Sequence, residues 1–226
     1  MSPDTPHEEE ETRSELIDSS AVAPSAAEPG DAAPGDAAPQ VVALVLAAGR
    51  GSRFGSDKRM AHLPDGRRLL CATLDSIMPY FAATYVVLRH EDTAQALGLP
   101  EGLGIVHASH AGEGMGASMA DAIRSVHDLE FDAAAIVLGD MPWIMPGTLQ
   151  MLLEHAHPGR IVRPVHKGRG GHPVLFGREF WTTLSALGED EGARGVLDTY
   201  GSYVDEIEVN DPGVWRDVDQ PEDLIG

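Results

Sequence analysis

Six apolar residues in unbroken succession, Val41-Val42-Ala43-Leu44-Val45-Leu46, run straight into Ala47-Ala48-Gly49-Arg50-Gly51-Ser52-Arg53-Phe54-Gly55, a stretch that ends near Lys58. A run that short and β-branched, flanked by small residues, reads as a strand buried on both faces, as in a parallel sheet. Three glycines then let the backbone turn sharply and bring N–H groups against a ligand where any Cβ would obstruct. Arg50, Arg53 and Lys58 set cationic side chains beside those N–H groups. Glycines alone suggest a turn. Glycines interleaved with Arg and Lys after a first buried strand suggest a nucleoside triphosphate.

Two familiar phosphate loops fit poorly. A P-loop needs Gly-Lys-Ser/Thr opening a helix, but Lys58 lies three residues past Gly55 and is followed by Arg59. A dinucleotide fingerprint needs glycines leading directly into a helix and an acid about 20 residues on. Gly49-x-Gly51-x-x-x-Gly55 mimics it loosely, yet the loop continues through Pro64-Asp65-Gly66 and the next strand ends at Arg89.

A third pattern fits. Leu46-Ala47-Ala48-Gly49-x-x-x-Arg53-x-Gly55-x-x-Lys58 resembles the signature of the MobA-like nucleotidyltransferases, especially the molybdenum cofactor cytidylyltransferase branch. That family usually has Ser at the place of Gly51 and Met at the place of Phe54. The related guanylyltransferases begin Ala-Gly-Gly and end Asp-Lys; this chain combines Ala47-Ala48-Gly49, the cytidylyl form, with Asp57-Lys58. CMP is the favoured transferred group and GMP the alternative. The resemblance implies a Rossmann-like three-layer α/β sandwich with a mostly parallel central sheet, of the nucleotide-diphospho-sugar transferase type.

Composition sets the bounds around that loop. No apolar run approaches 18 residues, which excludes a membrane span. The acidic N-terminus has no apolar stretch of the secretory kind. A single cysteine, Cys71, allows no internal disulfide and suits a reducing cytoplasm; its expected role is a small buried residue on a helix. The formal net charge of −20 argues against a nucleic-acid surface. Its distribution is more telling. Arg50, Arg53, Lys58, Arg59, Arg67 and Arg68 gather in one stretch, and Arg160, Arg163, Lys167, Arg169 and Arg178 in another that holds no carboxylate. Cations gathered in an acidic chain serve anions or, for the second group, ordinary solvated loops.

Residues 1–39 carry ten acids against Arg13 and a Pro-Gly-Asp-Ala-Ala repeat, too little apolar area to offset ordering, so a disordered tail is expected there. Residues 40–226 are expected to form one domain. Helical spacing predicts helices over 69–80, 92–97 and 117–127, strands over 84–88, 104–107 and 133–138, and a further helix after Pro146. Such alternation gives a parallel sheet covered on both faces, with ligands at the carboxyl ends of its strands.

Three further motifs carry chemistry. Leu138-Gly139-Asp140-Met141-Pro142 sets a carboxylate just beyond a buried strand, where it can hold Mg²⁺ on phosphate oxygens; capping the helix after Pro146 is the competing use, and Asp140 stands too far upstream for it. The Gly-Asp-x-Pro element carries the metal-binding aspartate in the family. Gly112-Glu113-Gly114-Met115-Gly116-Ala117-Ser118-Met119 places glycines before a helix, an anion or base-edge site. In the family such a segment closes over the nucleotide through Gly116 and Ser118; Ser118 is otherwise a plain cap, and Met115 and Met119 are read as packing. Arg169-Gly170-Gly171-His172-Pro173-Val174-Leu175-Phe176 and Gly188-Glu189-Asp190-Glu191-Gly192-Ala193-Arg194 resemble elements that hold the molybdopterin acceptor, naming His172, Pro173 and Arg194. His172 serves equally well as a satisfied core histidine. Residues 215–224 read as a short strand and a Pro-led turn, with Asp217 and Asp219 on one face; Asp219 either joins the metal site or caps the last turn.

The expected chemistry is nucleotidyl transfer from CTP or GTP to a phosphorylated pterin-type acceptor, with Arg53, Lys58 and Asp140 catalytic. The N–H groups of Gly49–Gly55 with Arg53 and Lys58 hold the β- and γ-phosphates, and Asp140 with Asp219 holds Mg²⁺. The alternatives are a sugar- or alcohol-phosphate nucleotidyltransferase, or a non-catalytic cofactor-insertion partner of molybdoenzymes; a molybdoenzyme or its chaperone is a candidate partner.

Overall fold

A computed structural model describes residues 38–49, 54–188 and 192–225. The apolar run is the central strand β1 (Val41–Leu46), lying between parallel neighbours β2 (Ala83–Arg89) and β4 (Ala133–Leu138). Beyond β2 lies β3 (Gly104–Ala108), also parallel. On the other side the sheet turns antiparallel through β7 (Val174–Gly177) and β5 (Ile161–His166); β5 also pairs with the two-residue β6 (Arg169–Gly170) and, in parallel, with β8 (Val204–Glu208).

Side chains of a strand alternate between faces, and β1 does so without a polar residue. Val41, Ala43 and Val45 pack into one buried cluster with Leu70, Leu74 and Ile77 of α1 (Leu69–Ile77), Leu97 of α2 (Ala94–Leu97), and Leu149 and Leu152 of α4 (Pro146–Glu154). Val42 and Leu44 pack oppositely against Met119, Ile123 and Val126 of α3 (Met115–Val126), Trp181 and Leu184 of α5 (Trp181–Ser185), and Val196 of α6 (Ala193–Thr199). The result is a Rossmann-like three-layer α/β sandwich around a mostly parallel sheet, as the alternation predicts.

Differences from the sequence reading have local causes. α1 stops at Ile77 and gives way to a 3-10 turn over Met78–Tyr80, because Pro79 has no N–H to donate to the Asp75 carbonyl and so cannot continue the helical ladder. α3 begins at Met115, two residues early, since Gly114 (φ +118°) occupies its N-cap. No strand forms over 215–219. A 3-10 turn occupies Pro212–Trp215, and the Asp219 and Gln220 N–H groups both donate to Asp223 Oδ2 (3.0 and 2.8 Å) instead of joining a ladder. Asp211, 1% exposed, ties this C-terminal strap to α4: its carboxylate accepts from Met145 N–H, Thr148 Oγ1 and Gly213 N–H, each at 2.8 Å. Cys71 is half-buried rather than buried, its Sγ 3.3 Å from the Gly98 carbonyl. Among the described residues no helix is long and apolar enough to cross a membrane. Apart from Ala38 and Pro39, the expected tail lies outside the described residues.

Candidate functional site

Two strand ends make the floor of the site. β1 and β4 are paired with Leu46 opposite Leu138, and the Gly139 N–H extends the pairing by donating to the Leu46 carbonyl at 3.0 Å. A Cβ on residue 139 would stand 3.1 Å from that carbonyl oxygen and from Leu70, and 3.2 Å from Ala47 Cβ. Glycine lets the two ends approach, and the next residue, Asp140, is delivered beside the loop that follows β1.

Lys58 reaches the same point from the opposite wall. Asp57 caps the 3-10 turn Lys58–Met60, accepting from the Arg59 N–H at 3.1 Å. Lys58 Nζ then donates to Asp140 Oδ2 at 2.5 Å and to the Val218 carbonyl at 3.1 Å, and lies 3.7 Å from Asp219 Oδ1. Val218 is held there by a small cluster with Phe54, Leu63 and Leu69. Burial pushes the Asp140 carboxyl above the usual carboxylate range; the Lys58 ammonium opposes the rise and the negative Asp217 adds to it.

Asp140 Oδ1 is buried with no hydrogen-bond partner among the described residues. A buried anionic oxygen left unpaired is expensive, and a hard divalent cation is a partner of the right chemistry. Magnesium is usually held by one or two carboxylates, with phosphate and water oxygens completing its shell. The absence of a cluster of three or more His, Cys, Asp or Glu among the described residues is therefore compatible with it. Asp140, Asp217 and Asp219 all line one cavity of about 460 Å³, within the range of small-molecule sites.

That cavity gathers most of the residues the sequence singled out. Leu46, Ala47, Ala48, Gly49, Lys58, Ser118, Asp140 and Asp219 line it. Gly116 is buried in the first turn of α3, off the cavity wall, and Gly55 (φ +78°) is exposed beyond it. Gly51 and Arg53 lie outside the described residues. Ser118 is not a cap; its hydroxyl donates back to the Gly114 carbonyl at 3.3 Å. The two methionines separate: Met119 is 1% exposed and packs, whereas Met115 is 59% exposed and lines the cavity. Asp219 is not the cap of the last turn either: Gln220 is its N-cap, and Asp223, inside the turn, accepts from the Asp219 and Gln220 N–H groups.

The expected acceptor residues stand elsewhere. His172 is mostly enclosed, with Nδ1 buried and unpartnered among the described residues. Burial pushes its pKa down, against a hydrogen bond to the Ile136 backbone and the charges of Asp140 and Asp217. Pro173 is buried, and Arg194 is exposed on α6; none of the three lines the cavity.

The cationic clusters are spent largely on internal partners. Arg160 pairs with Asp205, Arg163 with Glu206, and Arg178 donates to the carbonyls of His127, Leu129 and Phe131. Those three hold structure, which is neither of the two uses the sequence offered: they meet carboxylates and carbonyls of this chain rather than a ligand anion or open solvent. Arg59, counted among the cations offered to a ligand, is 5% exposed and bound by Asp57 and Asp92. Burial works against its charge, but the two carboxylates outweigh burial and raise its pKa. Asp92 and Arg89 escaped the sequence reading because their partners lie 33 to 41 residues away.

Comparison with known proteins agrees with this geometry. The family described as "MobA-like NTP transferase domain" matches residues 43–205. Among curated relatives, the bifunctional enzyme IspD/IspF of Paramagnetospirillum magneticum is 31% identical over 139 residues, 60% of this chain and 34% of that protein. The bifunctional protein GlmU of Zymomonas mobilis is 32% identical over 129 residues, 51% of this chain and 26% of that protein. The chain thus spans about a third or less of the curated relatives it matches. Among solved structures, Rv0371c of Mycobacterium tuberculosis superposes with a TM-score of 0.71 at 28% identity, covering 83% of this chain and 96% of that one; a complex of the same protein with manganese gives 0.68 at 26% identity, covering 81% and 95%. Molybdopterin-guanine dinucleotide biosynthesis protein A of Archaeoglobus fulgidus shares the fold (TM-score 0.59, 22% identity, 81% and 94% covered). The match over residues 43–205 is decisive: the chain belongs to the MobA-like NTP transferase domain family.

Proposed function

We propose that this enzyme moves a nucleoside monophosphate from CTP or GTP to the phosphate of a small acceptor, with a molybdopterin-type pterin as the favoured acceptor. The observation that carries the transfer reading is the half-buried Asp140 carboxylate, one oxygen on Lys58 and the other buried and unpartnered among the described residues, in one cavity with Ala48 and Gly49. An acceptor phosphate oxygen bonds to the α-phosphorus as the bond from that phosphorus to the bridging α–β oxygen breaks. The bond's electron pair leaves with pyrophosphate. The attacking oxygen is already anionic, so positioning and charge neutralisation supply most of the acceleration.

The residues take distinct parts. Ala48, Gly49 and the loop after them offer N–H donors to the triphosphate, together with Arg53. Lys58 turns from Asp140 to the phosphates. Gly116 and Ser118, at the start of α3, present that helix's positive end to the nucleotide. Asp140, with Asp219 or Asp217, would hold Mg²⁺, which would supply charge neutralisation at the phosphates; the manganese complex of the mycobacterial relative supports a divalent metal. His172, Pro173 and Arg194 are assigned to the acceptor side on the resemblance of their segments. A molybdoenzyme or its chaperone would receive the product, in the cytoplasm where the lone Cys71 stays reduced.

A sugar- or alcohol-phosphate acceptor is the second reading, favoured by the curated relatives named IspD/IspF and GlmU. Pyrophosphate release from CTP, GTP, ATP and UTP, with Mg²⁺ and either molybdopterin or a panel of sugar and polyol phosphates, separates the two. Turnover dependent on the pterin supports the first reading. Turnover with a sugar phosphate and none with the pterin would overturn it in favour of the second.

A further inference from the structure

The carbonyl groups that follow β1 are held in a row by two arginines. Arg59 Nη1 donates to the Ala47 carbonyl at 3.0 Å. Arg89 Nε donates to the Ala48 carbonyl at 3.1 Å, and its Nη2 to the Gly49 carbonyl. Asp92 yokes the two: its carboxylate accepts from Arg59 Nη1 and Nη2, and also from the Arg89 backbone N–H at 3.1 Å. Asp57 completes the set, accepting Arg59 Nε at 2.8 Å and Nη2 at 2.6 Å.

Stability alone is a weak reason for this arrangement. A buried guanidinium with two carboxylates often adds no more than apolar residues of the same volume, because desolvation offsets the attraction. What charged groups fix well is geometry. In a trans peptide the C=O and the following N–H point in opposite directions. Carbonyls of Ala47 and Ala48 tied to arginines therefore turn the N–H groups of Ala48 and Gly49 to the other side of the backbone. Both residues line the cavity. Arg59 is also the neighbour of Lys58, so the same ion-pair set holds the turn from which Lys58 reaches Asp140.

We propose that Arg59, Asp92 and Arg89 form a positioning clamp that presets the Ala48 and Gly49 N–H groups as donors to the bound nucleotide; Arg89 and Asp92 stand off the cavity wall and act through the backbone alone, whereas Arg59 also forms part of that wall, so Arg89 gives the cleaner test. The inference rests on the nucleotide reading above. Preset donors cost nothing to orient when the ligand arrives. Loss of the clamp should then appear as weaker ground-state binding rather than slower chemistry.

The experiment measures affinity of the full chain for CTP and GTP analogues with a methylene α–β bridge, without metal, alongside KM, kcat and melting temperature. Arg89→Met removes two carbonyl contacts at a half-exposed position and should melt with the parent. Its dissociation constant and KM should rise about tenfold, the scale of one or two lost hydrogen bonds, with kcat changed by less than about threefold. Arg89→Lys, which keeps one donor, should recover part of the loss. Arg59→Lys should weaken binding similarly, and Arg124→Gln, whose partners Asp121 and Ser185 lie outside the cavity, should bind like the parent. If the parent binds and Arg89→Met and Arg59→Lys bind equally well, or lose kcat at constant KM, the clamp is wrong while the nucleotide reading stands. A parent that binds neither analogue would sink the nucleotide reading and the clamp together.

Discussion

At the scale of single residues, the site turns on one pair. Lys58 and Asp140 lie 82 positions apart and meet at 2.5 Å. On the proposed reading, Asp140 would serve charge that develops only as pyrophosphate leaves, whereas Lys58 would face phosphates already charged in the ground state. Asp140→Asn should therefore lower kcat by about 10²-fold or more while metal-free nucleotide affinity stays near that of the parent; single-turnover rates and calorimetric binding decide it. Lys58→Ala should weaken binding and rate together. Asp57 and Asp92 make a separate test through pH. Arg59 holds Asp57 below its ordinary value; for Asp92, burial works upward and Arg59 outweighs it. Depressed folded-state values mean that this stabilisation is present above the unfolded value of about 3.8 and is lost as pH falls through the folded ones. The melting-temperature gap between parent and Asp92→Asn should hold steady from pH 7 to pH 5, then narrow below about pH 4. A gap that widens on acidification would contradict the sign.

At the scale of elements, legibility followed the length of the unbroken apolar run more than burial itself: β7 is buried at all four positions but too short to stand out. β1 and β4 could be read because both faces of each are covered, leaving unbroken apolar runs. β5 and β8 were not read: Val-Asp-Glu-Ile-Glu alternates on a partly exposed edge, and β5 carries Arg163 and Pro164 inside it. The strand expected near Asp217 failed because side-chain acceptors, Asp211 and Asp223, claim nearby N–H groups. The cavity's two strand-end walls were visible as motifs. Its arginine supports were not, since pairing between distant loops leaves no spacing to detect. Gly139→Ala tests the junction of β1 and β4. Two of the three atoms a Cβ would meet, the Leu46 carbonyl and Ala47 Cβ, are fixed to the backbone and have little room to retreat. Destabilisation of about 1–3 kcal/mol and a fall in kcat are expected from denaturant titration and turnover, and unchanged values for both would show that the strand ends relax freely.

At the scale of the whole molecule, charge is unevenly spread. Ten of the 36 acids lie in residues 1–39, and in the described part most basic residues named above have acidic or carbonyl partners of their own. The chain enters the sheet at Gln40, whose N–H donates to Asp132 Oδ2 at 2.7 Å and whose carbonyl accepts from the Asp132 N–H at 2.8 Å. A protein beginning at Ala38 should keep the parent's melting temperature and turnover, whereas one beginning at Val41 should melt lower; loss of most activity in the first would show that the acidic segment docks. Asp211 has a wider consequence. It joins α4 to a strap carrying Asp217 and Asp219, beyond the family's match at residue 205. Inheritance of the two acids is thereby bound to inheritance of the helix start. A strap imported from a relative would arrive in working register only with its own acid at 211 and a hydroxyl at 148 to donate to it, so new specificity on this side of the molecule is more readily gained by substitution in place than by exchange of parts.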